Sequence, residues 1–166
     1  MKRVIVIGSP GAGKSTFSAR LGEVSGLPVY HLDMMFWNED KTTVGREVFF
    51  ERLSSVLSMD EWIIDGNYSS TMELRLDASD TVFFLDYPAE LCLEGVRQRI
   101  GKPRPDMPWV EESEDGEFME FIKRFGERER PRITELLSAH SEKTVFVFKS
   151  REDADAFLSR ARLGRL

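Results

Sequence analysis

Apolar residues are laid out along this chain in two alternating textures. Short, nearly unbroken apolar runs occupy Arg3–Ile7 (RVIVI), Pro28–Leu32 (PVYHL), Glu61–Asp65 (EWIID), Thr81–Asp86 (TVFFLD) and Lys143–Phe148 (KTVFVF). Such runs predict strands covered on both faces, as in a parallel sheet. Between them the apolar residues recur at helical spacing. Phe17, Leu21 and Val24 line a first helix, ended by Gly26 and Pro28. Phe49, Leu53, Val56 and Leu57 mark a second, and Leu91, Val96 and Ile100 a third that opens near Pro88. Phe118, Phe121, Ile122 and Phe125 mark a fourth, which Pro131 kinks or restarts before Ile133, Leu136 and Leu137. Ala154, Phe157, Leu158 and Ala161 suggest a terminal helix. This alternation predicts a three-layer α/β/α domain around a five-stranded parallel sheet with right-handed crossovers.

Two stretches break the pattern. Gly101–Gly116 (GKPRPDMPWVEESEDG) holds three prolines, begins basic and ends acidic, as an exposed loop or lid would. Asn38–Arg46 (NEDKTTVGR) is a polar insertion directly after the second strand, where segments leaving strand C-terminal ends bind ligands. The 166 residues suit a single domain over 1–166. One cysteine, Cys92, excludes an internal disulfide framework, and with two histidines it excludes a cysteine-rich zinc site. No apolar run approaches the ~18–20 residues of a membrane span. The start, MKRVIVIGSP, lacks the h-region of a secretory signal, so the expected location is cytoplasmic. A net charge of −6 argues against a broad electrostatic grip on nucleic acid.

The strongest chemical signal follows the first strand. Gly8-Ser9-Pro10-Gly11-Ala12-Gly13-Lys14-Ser15 fits G-x-x-x-x-G-K-[ST] at every fixed position, and Thr16 continues it into the first helix. Glycines let successive backbone N–H groups point inward, and the helix that follows adds the positive end of its dipole. The pattern predicts a phosphate cradle in which Lys14 faces the β- and γ-phosphates of ATP and the Ser15 hydroxyl ligates Mg²⁺. The Asn/Thr-Lys-x-Asp segment with which GTPases read their base is missing.

A P-loop domain of this length with a basic lid resembles the small-molecule kinases: nucleoside monophosphate kinases, shikimate kinase and relatives. The phrases HLDMMFW at 31–37, EWIIDGNY at 61–68, TVFFLDYP at 81–88 and GKPRPDM at 101–107 further resemble the bacterial adenylate kinase-like DNA topology modulation proteins of the FlaR type. The resemblance implies an acceptor-side insertion near 34–60 and a lid near 101–116. It places Asp33 near Mg²⁺ or an acceptor hydroxyl, against its alternative as an N-cap. Asp65 is placed at the metal, and Gly66, Asn67, Tyr68 and Arg75 at the acceptor, although Arg75 could equally pair with Glu73 or Asp77. Trp37 lines the acceptor pocket or simply packs. Arg99, Arg104 and Arg132 become the arginines that neutralise the transferring group. Gly95 falls where adenylate kinases carry a base-stacking arginine, which leaves the base to the loop at Lys149-Ser150-Arg151, and Arg151 in particular. His31 and Cys92 read as packed residues. The implied activity is ATP- and Mg²⁺-dependent transfer to a small acceptor. The alternatives are an ATP-binding regulator acting on DNA topology or partner proteins, and a weak ATPase.

Overall fold

The chain is described by a computed structural model over residues 1–164. Five strands, β1 (Arg3–Gly8), β2 (Val29–His31), β3 (Trp62–Asp65), β4 (Thr81–Leu85) and β5 (Thr144–Phe148), form one sheet in the order β2-β3-β1-β4-β5. All four pairings are parallel. Among the described residues seven α-helices accompany them: α1 (Lys14–Ser25), α2 (Leu32–Phe36), α3 (Arg46–Leu57), α4 (Met72–Ala78), α5 (Ala89–Arg99), α6 (Gly116–Ala139) and α7 (Arg151–Arg162).

The central strand shows why its residues are uniformly apolar. Val4 and Val6 pack on one side with Phe17, Leu21, Phe83, Cys92, Ile122 and Phe157. Ile5 and Ile7 pack on the other with Leu53, Trp62, Ile64, Leu76 and Phe84. Successive side chains alternate in direction, so a strand buried on both faces has no polar position to spare. The chain leaves β1 toward β2 on one side and later reaches β4 on the other. The C-terminal end of β1 is therefore the switch point of the sheet, where α/β folds open a crevice. No helix among the described residues is long and apolar enough to cross a membrane.

The expected fold is present, with three local corrections. First, α6 does not stop or restart at Pro131 but runs through it. Met119, Ile122, Phe125, Ile133 and Leu137 are buried on both sides of the proline, and their packing outweighs the roughly 3 kcal/mol a mid-helix proline costs. Second, α2 replaces the end of the expected second strand, so Asp33 sits in a helical first turn. Third, a 3₁₀ turn (Ser69–Thr71) and α4 fill a stretch for which periodicity predicts no element. The polar insertion after α2 folds back as a tight turn, with Asn38 N–H donating to Thr42 O at 2.9 Å and Val44 N–H to Phe36 O at 2.9 Å.

His140 closes the C-terminal end of α6. Its Nδ1 lies 2.8 Å from Leu136 O and its Nε2 3.0 Å from Asp77 Oδ1. Two acceptors favour the imidazolium, so the carbonyl bond first and the Asp77 contact second raise its pKa above the usual 6.5. A raised folded-state pKa gives stability that is fully present below the unfolded value and is lost as pH rises through the folded one. Urea unfolding of His140→Gln and the parent is therefore expected to differ more at pH 5.5 than at pH 8.5. Equal differences at both pH values would contradict the assignment.

Candidate active site

The P-loop arches from the end of β1 into α1 and leans on α5. Gly11 (φ 79°) lies so close to α5 that a Cβ there would stand 2.0 Å from Cys92 O. A Cβ on Gly95 would in turn stand 2.1 Å from Gly11 O. The loop backbone and the helix backbone thus touch through paired glycines. A side chain at Gly95 would strike the loop backbone, which accounts for the glycine at this position. Gly95→Ala is expected to overpack this contact at a cost of about 1–3 kcal/mol. A lowered Tm together with weakened nucleotide binding checks it; an unperturbed Tm would contradict it.

α1 follows Gly13 as its N-cap, with no side chain capping its N-terminus and no acidic residue in its first turn. Its leading N–H groups and the positive end of its dipole face the concavity of the loop. Lys14 is not turned to open solvent, as a free phosphate-seeking lysine would be. Its Nζ donates to Gly8 O (3.0 Å) and Ser9 O (3.1 Å). Burial lowers its pKa, while the charges of Asp65 and Asp33 act in the opposite direction. An ammonium that is short of water and bound only to carbonyls is poised to exchange them for phosphate oxygens.

Carboxylates close the crevice opposite. Asp65, buried at the end of β3, lies 2.9 Å from His31 Nδ1. His31 is therefore a partner of the site and not merely a packed residue. Burial works against its charged form, but the hydrogen bond and charge of Asp65 prevail and its pKa is raised. Asp33 accepts a 2.6 Å bond from the Tyr68 hydroxyl. Burial raises the Asp33 pKa against the opposing pull of Tyr68 and Lys14. The Tyr68 phenol is itself pushed up by burial and then by Asp33. Asn67 Oδ1 accepts from Gly8 N–H at 3.1 Å, which ties this loop to the base of the P-loop.

Arg75 departs from the acceptor role the resemblance implies. It is 0% exposed. Its guanidinium donates to Gly66 O (2.9 Å), Tyr68 O (3.1 Å) and Thr71 Oγ1 (3.2 Å). Burial lowers its pKa to about 10, with Asp65 resisting. It is an internal brace that shapes the 66–71 loop and so presents Gly66, Asn67 and Tyr68.

The segment between α5 and α6 folds over the P-loop. Ser15 Oγ donates to Asp106 Oδ2 at 2.8 Å, and Arg104 Nη1 donates to the same oxygen at 3.1 Å. Arg99 Nη2 donates to Glu111 Oε1 at 2.7 Å, and its guanidinium lies 5.9 Å from the Phe118 ring centre. Both arginines are thus beside the cradle, each held by a carboxylate. Arg132 is not. It is 75% exposed and pairs only with Glu129, at 3.8 Å. Because α6 continues through Pro131, its phase turns Arg132 outward and Arg130 inward. Arg130 Nε reaches Asp86 Oδ1 at the end of β4 at 2.6 Å, and Lys149 contacts the other oxygen of Asp86. Arg151, opening α7, donates to Leu91 O at 3.4 Å and lies against Gly95, beside the loop. Trp37 packs edge-on against Phe36 (5.2 Å between ring centres) and Trp109 (5.7 Å). Trp109 thereby joins the end of α2 to the α5–α6 segment.

The residues suit a Mg²⁺–nucleotide. An uncapped helix N-terminus, a lysine on carbonyls and a buried Ser9 Oγ with no partner line the cradle. The nearby oxygens of Ser15, Asp33, Asp65 and Asp106 are hard donors of the kind Mg²⁺ prefers. Among the described residues no three His, Cys, Asp or Glu side chains form a closed cage. Mg²⁺ rarely uses one, since it keeps waters and substrate phosphates in its coordination sphere. Asp106, Glu111 and Asp86 are given no role by the sequence, and of the group Arg128, Arg130 and Arg132 it singles out Arg132 and not Arg130; the signal for Asp106 is an acid set between prolines inside an otherwise basic stretch.

No protein-family model matches the chain, and no curated protein does. Solved structures resemble it along its whole length. A shikimate kinase from Bacteroides thetaiotaomicron shares 19% identity over 99% of both chains, with a TM-score of 0.63. A shikimate kinase from Acinetobacter baumannii in complex with shikimate shares 17% identity over 100% of this chain and 96% of that one, with a TM-score of 0.62. The fold is therefore the α/β/α fold of P-loop kinases.

Proposed function

We propose that this chain is an ATP- and Mg²⁺-dependent phosphotransferase acting on a small acceptor. One observation carries the reading. An uncapped P-loop bearing Lys14 and Ser15 shares the crevice at the sheet's switch point with two carboxylates, the buried Asp65 and the half-buried Asp33, whose charges both act on Lys14. The loop amides and Lys14 hold the β- and γ-phosphates, with Ser15 and Asp65 on the metal side. Mg²⁺, when bound, neutralises charge on the phosphates and orients them. Asp33, kept in place by Tyr68 and with its pKa raised by burial, accepts the proton of an acceptor hydroxyl. Arg99 and Arg104 exchange their carboxylate partners for the transferring phosphoryl oxygens. The segment that carries Arg104 covers the site and excludes water. The acceptor lies between Asp33, Trp37 and the Gly66–Tyr68 loop. Resemblance to the topology modulation type rests on the sequence phrases, and a cytoplasmic location suits an enzyme that needs ATP.

The test is ADP formation with ATP, Mg²⁺ and a panel of nucleosides, nucleotides and hydroxylated metabolites. The solved neighbours named as shikimate kinases put hydroxylated carboxylic acids in that panel. Acceptor-dependent ADP supports the kinase. ADP formed equally without acceptor supports an ATPase instead. No turnover, with nucleotide-sensitive binding to supercoiled DNA or a protein partner, supports the regulator.

A further inference from the structure

We propose that Asp106 is a ligand of the divalent cation that accompanies the nucleotide, supplied by the segment that covers the site. The inference rests on the phosphotransferase reading above and adds a metal ligand that the P-loop pattern does not contain. Asp106 lies 91 residues from Ser15 in sequence, yet its Oδ2 is 2.8 Å from the Ser15 hydroxyl. Adjacent oxygens around an octahedral Mg²⁺ with bonds of 2.0–2.1 Å are about 2.9 Å apart. The two oxygens already stand at the separation of neighbouring ligands.

The carboxylate is also placed as an interior group that needs a cation. Asp106 is 5% exposed. A buried carboxylate is strongly unfavourable unless charge or hydrogen bonds compensate it. Its partners are one hydroxyl and Arg104 Nη1, and Arg104 is divided between Asp106 (3.1 Å) and Glu111 (4.0 Å). Pro105 precedes Asp106, Pro108 follows closely, and an Arg104–Met107 bridge closes the turn around it, which limits how far the carboxylate can swing.

Metal binding then does two things at once. Asp106 moves from sharing the Ser15 proton to sharing the cation with Ser15, which fastens the α5–α6 segment over the cradle. Arg104, released from Asp106 and keeping only its longer contact with Glu111, would be free to turn to the phosphates. The cation thus couples closure of the segment to the arrival of nucleotide.

Calorimetric binding of a non-hydrolysable ATP analogue, with and without Mg²⁺, tests this on the parent, Asp106→Asn and Asp106→Glu. In the parent, Mg²⁺ is expected to tighten binding. In Asp106→Asn that gain falls at least about tenfold, in line with lost metal-site groups, while metal-free binding is equal or tighter because a repelling carboxylate has gone. Asp106→Glu, with a displaced carboxylate, gives an intermediate gain. Should Asp106→Asn fail to fold, Asp106→Glu alone decides, and an undiminished gain overturns the proposal. Tryptophan fluorescence gives a second readout through the Trp37–Trp109 contact, with a Mg²⁺-dependent change in the parent that is lost in the variants. An equal Mg²⁺ gain in parent and Asp106→Asn overturns the proposal and leaves the kinase reading standing. So does equal weakening with and without metal, which marks a purely structural residue. A parent that binds no nucleotide under either condition overturns both.

Discussion

Lys14→Ala is expected to lower acceptor-dependent turnover by about 10²–10³-fold, the usual loss when one preorganised donor to a transition-state charge is removed. Lys14 holds the one ammonium aimed into the P-loop from its own backbone, where it bonds to Gly8 O and Ser9 O. Burial already depresses its pKa, so its charge is poorly hydrated and gains most when phosphate oxygens replace the carbonyls. Lys14 belongs to neither hydrophobic core, so its truncation is expected to leave the strands and their packing in place. The far-UV spectrum and Tm should stay close to the parent's while turnover collapses. Parent-like turnover in a folded Lys14→Ala protein would contradict the role given to the loop.

Arg75→Met is expected to cost about 3–5 kcal/mol of stability, since it removes three guanidinium hydrogen bonds from the interior and leaves Gly66 O without a donor. Methionine fills much of the volume but offers Gly66 O, Tyr68 O and Thr71 Oγ1 nothing. For a chain of this length such a loss lowers Tm by roughly 6–20 °C. The damage is directional as well. The loop that Arg75 braces carries Asn67, bonded to the P-loop, and Tyr68, bonded to Asp33. Turnover measured well below Tm should therefore fall too, with Arg75→Lys intermediate in both respects. A change below about 0.5 kcal/mol, as at an ordinary surface arginine, would show that the brace is not needed.

These two residues mark where the sequence was and was not legible. The P-loop could be read because its chemistry is local: glycines, a lysine and a hydroxyl at fixed spacing act through their own backbone. The strands could be read because two-sided burial leaves no polar positions in Val4–Ile7 or Val82–Leu85. Arg75 could not, because its three acceptors are neutral groups of a 3₁₀ turn and loop that carry no compositional mark. The choice of Arg132 over Arg130 depended on helical phase across Pro131, and a proline reads as a break unless the buried stripe on both sides is weighed. Asp106 meets Ser15 only through folding of the α5–α6 segment, and no local spacing encodes that contact. Asp33 and Asp65 were placed by resemblance, and the geometry adds their partners, Tyr68 and His31.

The loop between β1 and α1 is expected to bind the polyphosphate of a nucleotide together with a divalent cation. Titration of the intact protein with a non-hydrolysable ATP analogue and Mg²⁺, followed by amide hydrogen exchange, tests it most directly. The account predicts saturable binding with protection concentrated at residues 8–16 and 101–111. Saturating ligand with no protection at residues 8–16 would contradict it.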